Sequence, residues 1–203
     1  SESWKIGTLY ADFMNEAAIE QAGLAPARPE LDRINAIASQ QDLAAAFARM
    51  ATLSVNQPFE MYVGQDRKAP DVYVPYLGQG GLGLPDRDYY LDDNPNFAAV
   101  REKYKQHIAN MFRLAGVAEA DARAKAEAIY AVEEAMARVH WSRGDSRDRD
   151  KTYNKRTLAQ LQAEATGFDW ATFLSAMRLN NQPAFLVAQP SAFTGMAAII
   201  ART

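Results

Sequence analysis

The sequence predicts a mainly α fold, a lobe of several helices with one β-hairpin, and three observations support this. Apolar residues recur at three- and four-residue steps through most of the 203 residues. Alternation of period two is confined to residues 59–63 and 72–76. Capping residues mark the start or end of most helical segments. The apolar content of 48% is ordinary for a globular chain with a core.

The first 51 residues predict three helices. An amphipathic stripe over residues 6–17 predicts the first, which Gly23 ends as a C-cap. A short helix is expected over residues 31–37. Ser39 and Asp42 have the spacing of an N-terminal capping pair, so a third helix is expected to follow them.

The two alternating runs predict an antiparallel hairpin. Residues 64–71 lie between the runs and are expected to form a rather long loop. Pro75 has no N–H to donate, so the second strand is expected to be an edge strand or to place this residue on its unpaired side.

The C-terminal half predicts five helices and a short strand. Asn94 and Pro95 are typical of a helix start, and the apolar stripe that follows ends at Gly116. A long alanine-rich helix comes next, and the charged run 142–150 is expected to be a loop. A capping box at Thr157 and Gln160 starts the next helix, which Gly167 ends, and Asp169 is the N-cap of another. Residues 184–188 are expected to form a strand, and Pro190 to start the final helix.

Composition excludes some classes of function. The net charge of −3, with acidic and basic residues interspersed, argues against a nucleic-acid partner. No apolar run approaches the roughly 20 residues of a membrane-spanning helix. The absence of cysteine excludes disulfides, thiolate nucleophiles and cysteine-ligated zinc. Both termini lie within apolar periodic segments, so we expect the sequence to be part of a longer protein.

Residues 78–83 match the dinucleotide-binding pattern G-x-G-x-x-G and follow a predicted strand. That motif requires a helix at its last glycine and a second parallel strand beyond it. Leu84 and Pro85 keep the chain extended, and no second parallel strand is expected. Nucleotide binding is therefore the less favoured interpretation of this segment.

Three titratable residues lie on predicted helices. His107 and His140 have no metal-ligand spacing and are expected to be surface or half-buried histidines. Glu133 falls near the buried face of its helix. Because a buried carboxylate needs partners, we expect an arginine, a tyrosine or backbone amides against it, in a structural role.

Residues 79–90 closely resemble the Q-x-x-L-G-L-P-x-R-x-Y-Y segment of the neprilysin family of zinc metallopeptidases. The matching residues are Gln79, Leu82, Gly83, Leu84, Pro85, Arg87, Tyr89 and Tyr90. Residues 9–19 resemble the family pattern L-Y-x-x-x-x-N-x-x-x-I, and residues 153–161 resemble Y-N-x-x-T-L-A-x-L. The resemblance runs in order over essentially the whole chain. This family includes the endothelin-converting enzymes and the bacterial oligopeptidase O branch, and the absence of cysteine suggests a bacterial member.

The resemblance implies a helical N-terminal lobe that covers a thermolysin-like catalytic lobe and encloses a cavity for short peptides. In the family, Zn²⁺ is held by H-E-x-x-H and a downstream glutamate, and those segments do not occur in this sequence. The whole of residues 1–203 is thus expected to belong to this lobe. Taken alone, it should hold neither metal nor catalyst, and the residues of the family motif are expected to be structural.

Further expectations concern partners and location. The resemblance places Tyr153, Asn154 and Lys155 near the boundary between the lobes, where the catalytic lobe of the same polypeptide would be the partner. A face without that lobe should favour self-association. Peptides are the implied substrates. The bacterial envelope is the favoured location, with the cytoplasm as the alternative. A competing hypothesis is a standalone helical interaction module without catalytic activity.

Overall fold

The computed structural model describes residues 2–203, which form eleven helices and one four-stranded sheet. The mainly α fold class is confirmed. Backbone contacts divide the chain into two units, residues 1–37 and residues 38–203. No helix within residues 2–203 combines the length and apolar character needed to cross a membrane.

The first unit contains three helices, α1 (Glu2–Phe13), α2 (Glu16–Ala22) and α3 (Arg28–Asn35). The predicted single first helix is therefore wrong. Asn15 interrupts it, because the side-chain oxygen of this residue accepts a hydrogen bond from the Ala18 N–H and starts a new helix. Gly23 ends α2 with φ of +51°, as predicted. The apolar stripe of α1 is exposed, with Leu9 at 72% and Phe13 at 74%.

The second unit begins with α4 (Gln40–Thr52), which Ser39 caps by accepting from the Asp42 N–H at 3.1 Å. The hairpin of β1 (Phe59–Asp66) and β2 (Ala69–Gln79) follows. The predicted long loop is wrong. Only Arg67 and Lys68 separate the strands, because the Asp66 carboxylate accepts from the Lys68 N–H at 2.9 Å and closes a tight turn.

Seven further helices and two strands complete the second unit. They are α5 (Asp88–Leu91), α6 (Pro95–Leu114), α7 (Glu119–Val139), α8 (Arg143–Arg147), β3 (Lys155–Arg156), α9 (Leu158–Glu164), α10 (Trp170–Ala176), β4 (Phe185–Val187) and α11 (Pro190–Ile200). The predicted starts at Asn94, Thr157 and Asp169 are confirmed. The loop predicted for residues 142–150 contains α8, which Ser142 caps. The sequence did not predict α5 or β3.

The sheet has the strand order β1-β2-β4-β3. β4 pairs with β2 in parallel, Tyr76 opposite Leu186 and Leu77 opposite Val187. Of the two alternatives predicted for Pro75, an edge strand is wrong, because β2 lies inside the sheet, and a position outside the pairing with β4 is what the structure shows. The prediction that no parallel strand follows β2 is also wrong. Pro75 immediately precedes this parallel pairing, so its missing N–H interrupts no bond between β2 and β4.

The main core lies between the sheet and helices α4, α7, α9, α10 and α11. Its centre is a group of aromatic rings. Trp170 is fully buried, with its ring centroid 4.5 Å from that of Phe59 and 5.7 Å from that of Phe193. A second cluster joins α5, α6 and α7 around Leu84 and Tyr90. The loop between β2 and α5 therefore links the two clusters.

Candidate functional site at the glycine-rich segment

The glycine-rich segment, residues 78–83, is bound to the residues that precede β1. The Gly80 N–H donates to the Pro58 carbonyl at 2.9 Å. The Asn56 side chain accepts from the Gly81 N–H at 3.1 Å and donates to the Leu82 carbonyl at 2.8 Å. These three hydrogen bonds fix the backbone path of residues 80–82.

The glycines are required by close packing. At Gly80 a Cβ would lie 2.7 Å from the Glu60 Cγ, and at Gly83 it would lie 1.8 Å from the Tyr104 hydroxyl. Gly81 has φ of +85°, and a Cβ there would lie 2.9 Å from the Pro58 Cα. A positive φ favours glycine, because a Cβ is costly in that conformation. No helix begins at Gly83, since the next one is α5 at Asp88, so the segment lacks the helix that a dinucleotide-binding loop needs.

Gly81→Ala is expected to lower the free energy of unfolding by about 1–2 kcal/mol, because positive φ and a backbone clash both act against a side chain. The measurement is urea unfolding with and without NAD, in parallel with Gly83→Ala. Gly116 is the matched control: it has φ of +90° but no atom within 4 Å of an added Cβ, so Gly116→Ala should cost less. NAD should change none of the midpoints. Protection by NAD of the unmodified chain alone would restore the nucleotide hypothesis.

Two residues of the family motif hold the chain just after α7. The Gln79 side chain accepts from the Trp141 N–H at 2.8 Å and donates to the Trp141 carbonyl at 3.0 Å. An Arg87 N–H donates to the His140 carbonyl at 3.0 Å. Both motif side chains therefore bind backbone groups of adjacent residues.

A buried polar cluster lies beneath the motif. The Tyr90 hydroxyl donates to Glu133 Oε2 at 2.6 Å and accepts from the Leu84 N–H at 3.0 Å, and the Tyr104 hydroxyl donates to Glu133 Oε1 at 2.9 Å. Burial raises the pKa of Glu133, whereas its hydrogen bonds to the tyrosines lower it. Of the partners expected for Glu133, namely an arginine, a tyrosine or backbone amides, the structure shows two tyrosines. Burial also raises the pKa of both tyrosines, so they remain donors.

The other motif residues differ in burial. Leu84 and Tyr90 are buried, Leu82 is half-buried against the main core, and Pro85 is exposed. Tyr89 is half-buried and stacks on Phe97, with ring centroids 4.3 Å apart. Of the tyrosine pair, Tyr90 is therefore the core residue.

A groove of about 790 Å³ runs along the glycine-rich segment. Its acidic and basic side chains are Glu60, Arg87, His140, and Arg143 and Asp86, which form an ion pair at 2.5 Å. Desolvation raises the pKa of the Glu60 carboxyl. The groove can thus offer a carboxylate and cationic groups to a polar ligand.

His140 is the buried histidine, and the expectation of a surface or half-buried one is wrong at this position. Its side chain is 6% exposed, and its Nε2 has no hydrogen-bond partner within residues 2–203. Burial lowers the pKa of His140 to about 4, a hydrogen bond with the Gly80 backbone opposes this, and the charge of Arg87 adds to it. His107 is exposed on α6, as expected.

The part of the chain that the structure describes does not fit a zinc site. No group of three or more histidine, aspartate or glutamate side chains within residues 2–203 is arranged to hold a metal ion. Four-coordinate zinc needs at least three such protein ligands. Within residues 2–203 the groove therefore offers no set of ligands for such a zinc ion.

The three residues expected near a lobe boundary lie at the other end of the sheet. The Tyr153 hydroxyl donates to the buried Asp66 carboxylate at 2.8 Å, and Lys155 forms an ion pair with it at 2.5 Å. Hydrogen bonding by Lys155 and by the Lys68 backbone lowers the pKa of Asp66 to about 2. The Asn154 side chain donates to the Val187 carbonyl at 3.2 Å. Their proximity to another lobe stays a prediction.

Sequence reasoning missed some residues that shape this site. Asn56 and Gln57 precede β1 by only a few residues but bind across the chain to the glycine-rich segment and β1. Their place before Pro58 was a sign of a turn, yet nothing in the local pattern showed that Asn56 contacts a loop 25 residues away. The Arg143–Asp86 ion pair joins the predicted loop 142–150 to the family-motif segment, residues 79–90, which lies far earlier in the chain.

Comparison with known proteins shows that this chain is similar in sequence to part of two relatives, endothelin-converting enzyme 1 and neprilysin-3. Endothelin-converting enzyme 1 of Cavia porcellus is 34% identical over 120 residues, 59% of this chain and 16% of that protein. Neprilysin-3 of Drosophila melanogaster is 30% identical over 122 residues, 60% of this chain and 16% of that protein. The chain thus spans about a sixth of the length of these relatives.

The solved structure of the zinc metalloprotease Zmp1 of Mycobacterium tuberculosis, in complex with an inhibitor, has the same fold. It superposes with a TM-score of 0.91 at 38% identity, over 98% of this chain and 30% of that one. The N-terminal model of peptidase family M13 matches residues 1–203. The resemblance to the neprilysin family is therefore confirmed, and this chain belongs to peptidase family M13.

Proposed function

We propose that this chain is the substrate-enclosing N-terminal lobe of a zinc metalloendopeptidase that hydrolyses short peptides. The chemistry is assigned to a C-terminal lobe of the same polypeptide, which would supply the zinc ligands and the water-activating glutamate. The single observation that supports this is the match of nearly all of this chain to 30% of a zinc metalloprotease, while residues 2–203 offer no metal-ligand group.

The contribution of this lobe would be to bound the cavity. The glycine-rich segment is held by hydrogen bonds to Asn56 and Pro58, and the motif side chains bind the turn after α7. A wall fixed in this way excludes long or folded substrates without contacting the reacting bond. Restriction of substrate size therefore requires a rigid surface, and no catalytic residue, from this chain.

The test compares this chain with the full polypeptide. This chain alone is expected to retain no stoichiometric zinc after dialysis and not to hydrolyse a quenched fluorogenic peptide. The full polypeptide should hydrolyse that peptide, lose the activity with a zinc chelator and regain it with added Zn²⁺. It should also cleave peptides in a length series up to a limit, and leave an unfolded protein such as reduced casein intact. Zinc-dependent hydrolysis by this chain alone, or equal rates on casein and short peptides, would contradict the proposal.

A second candidate is a standalone interaction module, and the exposed apolar residues of the first unit favour it. Trp4, Ile6, Leu9, Tyr10 and Phe13 are all exposed. Such residues are typical of a surface that binds another protein or a second copy. The intact mass of the natural protein separates the candidates: a mass near 22.5 kDa, with self-association in sedimentation experiments, supports the module.

A further inference from the structure

β1 is an outer strand of the sheet and exposes one hydrogen-bonding edge. Leu77, opposite Met61, directs its carbonyl to β4, where it accepts from the Ala188 N–H at 2.8 Å. Opposed residues of an antiparallel pair either exchange hydrogen bonds or both point outward. The backbone N–H and C=O of Met61 therefore point away from β2, and so do those of Phe59 and Val63.

Side chains satisfy the two ends of this edge. At Phe59, the Gln57 side chain accepts from the N–H at 3.1 Å and donates to the C=O, as the backbone of a neighbouring strand would. At the other end, the Tyr76 hydroxyl donates to the Gln65 carbonyl at 2.7 Å. Between them, the outward N–H and C=O groups of Met61 and Val63 have no backbone partner within residues 2–203.

Two side chains beside this edge, Glu60 and Tyr62, supply a carboxylate and an aromatic ring. Glu60 and Tyr62 alternate with Met61 and Val63, so they share one face of the strand. Tyr62 is 62% exposed, and its ring lies flat on that of Tyr76, with centroids 4.8 Å apart and 3° between the planes. Glu60 has no ion-pair partner among the described residues. Glu60, Met61 and Tyr62 also line the groove, so the edge and the groove are continuous.

We propose that the edge at Met61–Val63 binds an extended peptide by strand addition, with a basic side chain of the peptide over Glu60 and Tyr62. An antiparallel peptide would exchange four backbone hydrogen bonds with Met61 and Val63. Its residue opposite Tyr62 would face the aromatic ring and the Glu60 carboxylate, a pairing that favours lysine or arginine. The choice of a peptide as ligand rests on the proposed function.

The length of the free edge favours a short peptide over a second copy of the chain. Only two residues with outward-facing backbone groups, Met61 and Val63, lie between Phe59, which Gln57 satisfies, and Gln65, whose carbonyl Tyr76 satisfies. Edge pairing between two folded domains needs a longer row of unpaired groups. The unpaired carboxylate of Glu60 adds charge complementarity for a basic peptide.

The probe is a five-residue peptide with blocked ends, acetyl-Thr-Val-Lys-Val-Thr-amide, titrated into this chain. Hydrogen exchange at the Met61 and Val63 amides should slow by about tenfold at saturation, whereas the Tyr62 amide, already bonded to β2, should change little. N-methylation of both valines should abolish binding, because their N–H groups face β1. N-methylation of the lysine should leave binding intact, since its N–H faces away.

Variants test the role of charge. The lysine peptide should bind about three- to fivefold more tightly than its norleucine counterpart, the value of one partly exposed charge pair. Glu60→Gln should remove this preference, and Asp93→Asn, a change in an exposed loop, should preserve it. Val63→Pro removes the outward N–H of residue 63 without removing a hydrogen bond to β2, so it should weaken the binding of every peptide tested.

Three results would overturn the inference. They are no change at Met61 and Val63 at any peptide concentration, equal sensitivity to both N-methylations, and protection that grows with protein concentration without peptide, which would indicate a second copy. The proposed function fails separately. If the full polypeptide shows zinc-dependent hydrolysis while the edge binds no peptide, only this inference is lost. If the edge binds peptide but no hydrolysis is found, the enzymatic proposal is lost.

Discussion

Tyr90→Ala is expected to lower the free energy of unfolding by about 3–5 kcal/mol, as large aromatic truncations in a core do. Two effects combine. The ring is 4% exposed and packs beside Tyr130, with centroids 5.6 Å apart. Its hydroxyl joins the Leu84 N–H to the Glu133 carboxylate, so the truncation also leaves both groups without this partner.

Urea unfolding of three variants checks this expectation. Tyr90→Phe keeps the ring and removes the hydroxyl, so it should cost about 1–3 kcal/mol, the penalty for unsatisfied buried groups. Tyr89→Ala is the matched control, because its half-buried ring stacks on Phe97 at the periphery. It should cost clearly less than Tyr90→Ala. A larger loss for Tyr89→Ala would show that the assignment of Tyr90 as the core residue is wrong.

The second large effect is acid destabilisation through His140. The folded protein holds the pKa of His140 at about 4, below the ordinary value of 6.5, because the ring is buried near Arg87. Between these two values the unfolded chain binds a proton that the folded chain does not. Stability from this residue is therefore fully present above pH 6.5 and is lost as the pH falls towards 4. The total loss is about 3 kcal/mol.

The measurement is urea unfolding at intervals from pH 7 to pH 4 for the unmodified chain and for His140→Gln. Glu60 and Glu133 titrate in both proteins, with raised pKa values that act in the opposite direction, so their contributions cancel in the difference. The gap between the two curves should narrow or reverse as the pH falls. The matched control is His107→Gln, at the exposed second histidine, which should retain the pH dependence of the unmodified chain. Parallel curves for the unmodified chain and His140→Gln would contradict the expectation.

Local signals in the sequence predicted most of the helices, because capping is a short-range interaction. Ser39, Thr157 and Asp169 each bond to a backbone N–H three residues ahead, a spacing visible in the sequence. The interruption at Asn15 was missed because the apolar stripe continues across it. α8 was missed because five residues are too few to show a helical period.

For contacts between residues far apart in the chain, the sequence predicted the type of partner that a side chain needs but not which residue supplies it. The periodicity of α7 indicated that Glu133 is buried and needs partners, and it could not indicate Tyr90 and Tyr104, which lie 43 and 29 residues away. Gln79 and Arg87 bind backbone groups of Trp141 and His140. Every residue carries such groups, so they leave no mark in a sequence. The family resemblance indicated that the Gln79 and Arg87 side chains belong to a motif, but it did not indicate which groups they bind.

The parallel pairing of β2 with β4 has a consequence for protein synthesis. Tyr76 and its partner Leu186 are 110 residues apart in the chain. A ribosome that adds roughly 5–20 residues per second needs about 5–20 s to cover that interval. During this time the hairpin has left the exit tunnel while the β4-facing side of β2 is still uncovered, and an uncovered apolar strand is a target for aggregation. A nascent-chain holding chaperone is therefore expected to bind most strongly to chains stalled between these two strands, and to be released once β4 has emerged.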